Sequence, residues 1–145
     1  MRRVVLDANV IVSAFLRPEG PSGQILRRWF EASAFEVILS PALMAEIRRA
    51  LGYPSARPRI VLSDRELEQR LQMLEPLAES VEDRHPAGSI CADPDDDKYL
   101  LAAREGRASL IVTGDRHLLA IEAFEGVHIV GPREFLDLLT IQARD

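Results

Sequence analysis

The sequence predicts a three-layer α/β/α sandwich on a mainly parallel central sheet, folded as a single domain over residues 1–145. Two patterns and the length predict it. Short β-branched runs alternate with stretches of helical spacing along the whole chain. Those runs are continuously apolar rather than alternating, as strands are when both faces are covered. The length, 145 residues, is that of one domain and suffices for a proper core.

Taken in order, RVVLDA (3–8) is a buried strand ending at an acid. NVIVSAFL (9–16) either extends that strand or begins a helix, and Asn9 as an N-cap favours the helix. EGPSG (19–23) is a turn, and residues 23–34 carry Ile25, Leu26, Trp29 and Phe30 at helical spacing. FEVILS (35–40) is a second strand. Residues 40–51 make a well-marked helix: Ser40 suits the N-cap, Pro41 the first helical position and Gly52 the stop. A loop at 53–60 leads to one amphipathic helix over 63–77, opened by a capping box of Ser63 and Glu66. ESVED (79–83) is a short strand and 84–90 a loop. The next helix begins near Asp96 and is closed by Gly106. SLIVTG (109–114) is a third clear strand, 115–124 a short helix and VHIV (127–130) another strand. A last helix, 132–143, opens on Pro132. In sheets of this kind ligands bind outside the carboxyl ends of the strands.

Hydrophobic residues at 47% and charged residues at 28% are ordinary for a globular protein. Apolar runs stay short of the roughly 18 residues a membrane span needs, so no membrane partner is expected. MRRVVLDANVIVSAFL has the basic start of a signal peptide, but Asp7 and Asn9 interrupt it and no clean cleavage site follows. A single cysteine, Cys91, excludes an intrachain disulfide and predicts a reducing, cytoplasmic setting. The net charge of −5 argues against a broad basic surface for nucleic acid. A local patch is another matter. Residues 48–59 hold Arg48, Arg49, Arg57 and Arg59 and no acid, a candidate grip on RNA phosphates. The simpler reading of the same arginines is a solvated helix end and loop.

The acids carry the functional signal. Asp7 ends the first strand, and Asp115 follows the SLIVTG strand and opens a helix. Asp93, Asp95, Asp96 and Asp97 crowd the start of the helix before that strand. Glu46 lies in the second turn of the 40–51 helix, on the border of the face made by Leu43, Ile47, Ala50 and Leu51. All four points project from one edge of the predicted sheet. Singly, each has a simpler role: Asp115 and one of Asp95 or Asp96 suit N-caps, and Glu46 suits a solvated helix face. Together they do not. Two carboxylates about 5 Å apart repel by roughly 3 kcal/mol at an effective dielectric near 20. A divalent cation reverses that sign, since hard cations take oxygen ligands and bridge to phosphate oxygens. Helix phase favours Asp96 within the cluster, because Leu100 and Ala103 share its face, whereas Asp97 shares a face with Leu101 and Arg104. Asp93 and Asp97 stay in reserve.

VVLDANVIVSAFL, SPALMAEI, DPDDDKYLLAA and LIVTGDRHLL, in this order and at these spacings, resemble the PIN-domain ribonucleases, nearest the toxins of prokaryotic type II toxin–antitoxin pairs. The resemblance runs from residue 3 to about residue 138. It implies a ribonuclease that cuts single-stranded RNA with Mg²⁺ or Mn²⁺. The family's acidic quartet corresponds here to Asp7, Glu46, Asp96 and Asp115. Its polar residue before the last acid corresponds to Thr113, and Asn9 takes the polar position after the first. Asp93 and Asp97 leave the third ligand open. On this resemblance Asp7, Asp96 and Asp115 hold the metal directly or through water. Glu46 completes the cage or orients the attacking water, and Thr113 holds that water or a carboxylate. The family also implies a homodimer and a cognate antitoxin that blocks the site.

Other chemistries fit less well. As an EF-hand loop, DPDDDK has Lys98 where glycine belongs and Arg104 where glutamate belongs. Aspartyl-phosphate chemistry wants a second acid two residues after Asp7, where Asn9 stands. G-x-G-x-x-G, the P-loop and the nucleophile elbow are absent. His85, His117 and His128 are scattered in a loop, a helix surface and a strand, with no zinc spacing, and Cys91 reads as a small buried hydrophobe. The alternative function is a non-catalytic RNA- or partner-binding protein on the same fold.

Overall fold

The structure is a computed structural model and describes residues 1–84 and 94–144. Strand β1 (Arg3–Leu6) is central, and its last three residues are buried. It leads through Asp7 into helix α1 (Ala8–Leu16), so the 9–16 stretch is helix, and the N-cap is Asp7 rather than Asn9. Asp7 wins because its carboxylate accepts the Asn9 N–H, the usual bond of an aspartate cap. Helix α2 (Pro21–Ala32) starts two residues earlier than expected, with Pro21 in its first turn. Strand β2 (Glu36–Leu39) and helix α3 (Pro41–Leu51) follow as read, with the Ser40 hydroxyl accepting from the Leu43 N–H at 3.2 Å.

The 63–77 helix is in fact two. Helix α4 (Asp64–Gln72) opens on the capping box of Ser63 and Glu66, and α5 (Leu74–Leu77) is a single turn. Pro76 explains the break: it lacks an N–H, and its ring collides with the carbonyl four residues back, that of Gln72. Strand β3 covers only Glu79–Ser80. Helix α6 (Pro94–Glu105) begins at Pro94, before Asp96. Proline's fixed φ suits that first position, so Asp96 lies inside the first turn and is not an N-cap. Strand β4 (Leu110–Val112) and helix α7 (Arg116–Ile121) follow. The 115–124 helix stops early because Ala123–Phe124 forms strand β5, paired antiparallel with β6 (Val127–Val130). Glu125 and Gly126 join them with φ of 48° and 84°, the two left-handed positions of a type I′ hairpin turn. Helix α8 (Pro132–Arg144) closes the chain.

The sheet order is β3-β2-β1-β4-β6-β5, parallel throughout except for β5 at one edge. Helices cover both sides, giving the α/β/α sandwich. Its core includes the edge-on pair Phe35 and Phe135, 5.0 Å between ring centroids, which ties the start of β2 to α8. Because β1 lies between β2 and β4, the carboxyl ends of three parallel strands stand side by side. The chain leaving them runs into Asp7, Ser40 and Thr113.

Candidate active site

Asp7 is the centre of this edge. It is 3% exposed and spends its carboxylate on two donors. Oδ1 accepts from the Asn9 N–H at 3.1 Å, and Oδ2 accepts from the Thr113 hydroxyl at 2.6 Å. Thr113 is wholly buried, and its oxygen accepts in turn from the Asp115 N–H at 2.9 Å. One hydroxyl thus reaches 106 residues back along the chain to the first acid while holding the backbone of the last. Asp115 also caps α7, its Oδ1 accepting from the His117 N–H at 2.8 Å. The capping role and a place at this edge are therefore compatible. His117 and His128 are exposed.

Glu46 reaches the edge from α3 and meets two cations. Arg49 of the same helix pairs with it, and the Lys98 ammonium of α6 lies 3.2 Å from its Oε2. Tyr99, the next residue, is buried within reach of the charges of both Asp7 and Glu46. Its hydroxyl accepts from the Ala8 N–H at 3.4 Å. Burial, and after it the charge of Asp7, holds the phenol well above its usual range, with Glu46 adding to the shift. The phenol is therefore a proton donor near Asp7 at any ordinary pH. Lys98 and Tyr99 were missed in the sequence because neither shares an element with its partner.

Asp96 and Asp97 are both buried, at 5% and 8% exposure. Helix phase does not separate them, because α6 is covered nearly all round: Tyr99, Leu100, Leu101, Ala102 and Ala103 are all buried. Asp93, Cys91 and His85 lie outside the described residues. Asp83, which was not singled out, anchors the start of α3 by accepting from the Ala42 N–H at 2.8 Å. Of the four arginines in 48–59, Arg48 pairs with Glu68, Arg49 with Glu46 and Arg57 with Asp64.

The donor set at this edge is carboxylate and hydroxyl oxygen, which suits hard divalent cations. The Asp7 carboxylate accepts from the Asn9 N–H and the Thr113 hydroxyl, and the Tyr99 phenol is a further donor beside it. By donor type the residues fit such an ion. Among the described residues, no three His, Cys, Asp or Glu side chains are grouped closely enough to hold one.

A model of the PIN domain matches residues 3–117. The chain belongs to the PIN domain family. PIN domains are generally nucleases that use divalent metals, so the chain is of nuclease type. It is 28% identical over 148 aligned positions to an uncharacterized protein of Methanocaldococcus jannaschii, covering 93% of this chain and 90% of that protein. The crystal structure of PAE2754 from Pyrobaculum aerophilum superposes with a TM-score of 0.57, covering 97% of this chain and 91% of that one. At 16% identity this second likeness speaks for the fold alone. No helix among the described residues is long and apolar enough to cross a membrane.

Proposed function

We propose that this PIN domain is a metal-dependent ribonuclease that hydrolyses phosphodiester bonds of single-stranded RNA. In this reading it is the toxin of a toxin–antitoxin pair, acting in the cytoplasm as a homodimer restrained by its antitoxin. The observation that carries the nuclease reading is the buried link from Asp7 through Thr113 to Asp115. A buried carboxylate held on both oxygens is preorganised, and such rigidity is what a positioned cation site requires.

When bound, Mg²⁺ or Mn²⁺ supplies Lewis acidity toward the phosphate and its attacking water. Asp7, Asp115 and one of Asp96, Asp97 or Asp93 hold the ion. Thr113 fixes the orientation of Asp7. Glu46, held toward the edge by Lys98 and Arg49, would complete the cage or orient the attacking water. The Tyr99 phenol keeps its proton and steadies Asp7.

The second reading is RNA binding without cleavage. It draws on the Lys98–Glu46 pair, in which an internal ammonium already supplies positive charge at the edge.

Incubating a labelled single-stranded RNA with the protein in Mg²⁺, Mn²⁺ or chelator, beside Asp7→Asn, Asp96→Asn and Asp97→Asn, decides between them. The nuclease reading expects cleavage that needs metal and disappears in Asp7→Asn. Whichever of the other two variants also goes silent identifies the third ligand. Binding of RNA by folded wild-type protein without any cleavage would replace the nuclease with the binding protein.

A further inference from the structure

A groove of about 480 Å³ opens beside the acidic edge, between the end of α1 and the starts of α2 and α8. Arg17, Arg59 and Arg133 line it, with Ser13 and the N-terminal residues of both helices. Among the described residues no acid lines it. These three guanidinium groups make no ion pair or side-chain hydrogen bond among the described residues, and all three residues are exposed. Glu19, two residues after Arg17, turns instead toward Arg27, at 3.9 Å, and Glu134, next to Arg133, forms no ion pair among the described residues. The contrast with the neighbouring arginines is sharp: Arg48, Arg49 and Arg57 already hold carboxylates, and Arg59 does not.

One face of α1 leads from the site to the groove. The exposed face of α1 runs Asn9, Ser13, Arg17, one residue per helical turn. It starts beside Asp7 and reaches the groove about 12 Å further along the axis. On the other side, the Thr113 N–H donates to the Val130 carbonyl at 2.9 Å. Val130 is followed by Gly131, Pro132 and Arg133. Arg133 is thus three residues from the strand end that flanks the Asp7–Thr113 link. The N-terminus of α2 has no side-chain cap, so its first N–H groups and its dipole add positive potential to the same hollow.

We infer that this groove is a phosphodiester-binding track that holds the RNA strand next to the acidic edge, with Arg17, Arg59 and Arg133 as its phosphate contacts. It rests on RNA being the substrate under the proposed function. A chain of net charge −5 with acids at its reaction edge repels a polyanion, so a strand must be held by local cations. These three are positioned for it and hold no carboxylate among the described residues. Single-stranded RNA is favoured over an acidic protein tail because the α1 face that leads out of the groove ends beside Asp7 at the acidic edge.

The test is fluorescence anisotropy of a labelled single-stranded RNA in chelator at several salt concentrations. The proteins are wild type, the three single arginine-to-alanine variants, the triple variant and Arg2→Ala. Arg2 lies just before β1, at the opposite edge of the sheet, and controls for charge alone. Melting temperatures confirm that each variant is folded. Each single change is expected to weaken binding several-fold. The triple variant is expected to lower the slope of log K against log[salt] by about 2, at about 0.7 per lost single-strand phosphate contact. A folded triple variant that binds no worse than Arg2→Ala would overturn the track, as would a wild type that binds no RNA at low salt. Cleavage assayed on the same RNA separates the two ideas. If the wild type binds through these arginines but never cuts, the track stands and the nuclease reading falls. If it cuts and the triple variant keeps the wild-type KM, the nuclease stands and the track falls.

Discussion

Thr113 holds the site together through one oxygen, which donates to Asp7 and accepts from the Asp115 backbone. Replacing it with valine keeps the shape and removes both bonds, leaving a buried carboxylate oxygen and an N–H without this partner. Thr113→Val is expected to cost about 1–3 kcal/mol in denaturant unfolding of the metal-free protein. Mn²⁺ affinity is expected to fall about 10–100-fold, as when the partner of a ligating carboxylate is lost. Titration calorimetry against both proteins reads the second number, and equal affinities would remove Thr113 from any role at the metal. Much at this scale was legible. Asp7 and Asp115 stand at strand ends, and the position of a strand end follows from a local apolar run. Lys98 against Glu46 was not legible, since 52 residues separate them and only the contact between α3 and α6 brings them together.

At the scale of elements, the groove depends on how closely α2 approaches the turn after α1. A methyl group on Gly23 would lie 2.0 Å from the Pro18 carbonyl oxygen and 2.5 Å from its carbon, both backbone atoms that cannot swing aside. Glycine is needed there for close approach, not for an unusual φ. Gly23→Ala is expected to destabilise the fold by about 1–3 kcal/mol, the usual cost of overpacking. Because the turn carries Arg17, it should also weaken RNA binding while leaving Mn²⁺ affinity unchanged; unfolding curves and anisotropy check the two effects. Most elements were readable from local chemistry, including the Ser40–Pro41 start of α3 and the Ser63–Glu66 box of α4. The misreadings have local causes that a periodic pattern hides. Pro76 divides one predicted helix, and the left-handed pair Glu125 and Gly126 turns the end of another into a hairpin.

For the whole molecule, the proposed function couples folding to cation binding. The strand order that brings Asp7 and Asp115 to one edge in the folded state leaves them far apart in the unfolded chain. An ion that binds only the folded form therefore stabilises it by mass action, by about 2.7 kcal/mol at about a hundredfold excess over Kd. That corresponds to a rise of several degrees in melting temperature for a domain of this size. Scanning the wild type and Asp7→Asn with and without Mn²⁺ measures it. The shift is expected in the first and absent in the second, and an equal shift in both would place the ion elsewhere.

The sequence by itself determined the order of strands and helices, the α/β/α class and the stations of Asp7, Glu46, Asp96 and Asp115 along them. Each of those follows from neighbours within a few residues, through strand runs, caps and helix phase. Only the tertiary structure decided which distant groups meet: Thr113 with Asp7, Tyr99 with Ala8, Lys98 with Glu46, and Arg17 with Arg59 and Arg133 around one groove. The physical reason is the order of strands in the sheet. Placing β1 between β2 and β4 is a result of burying all the apolar faces at once, and no short window of the chain contains that constraint.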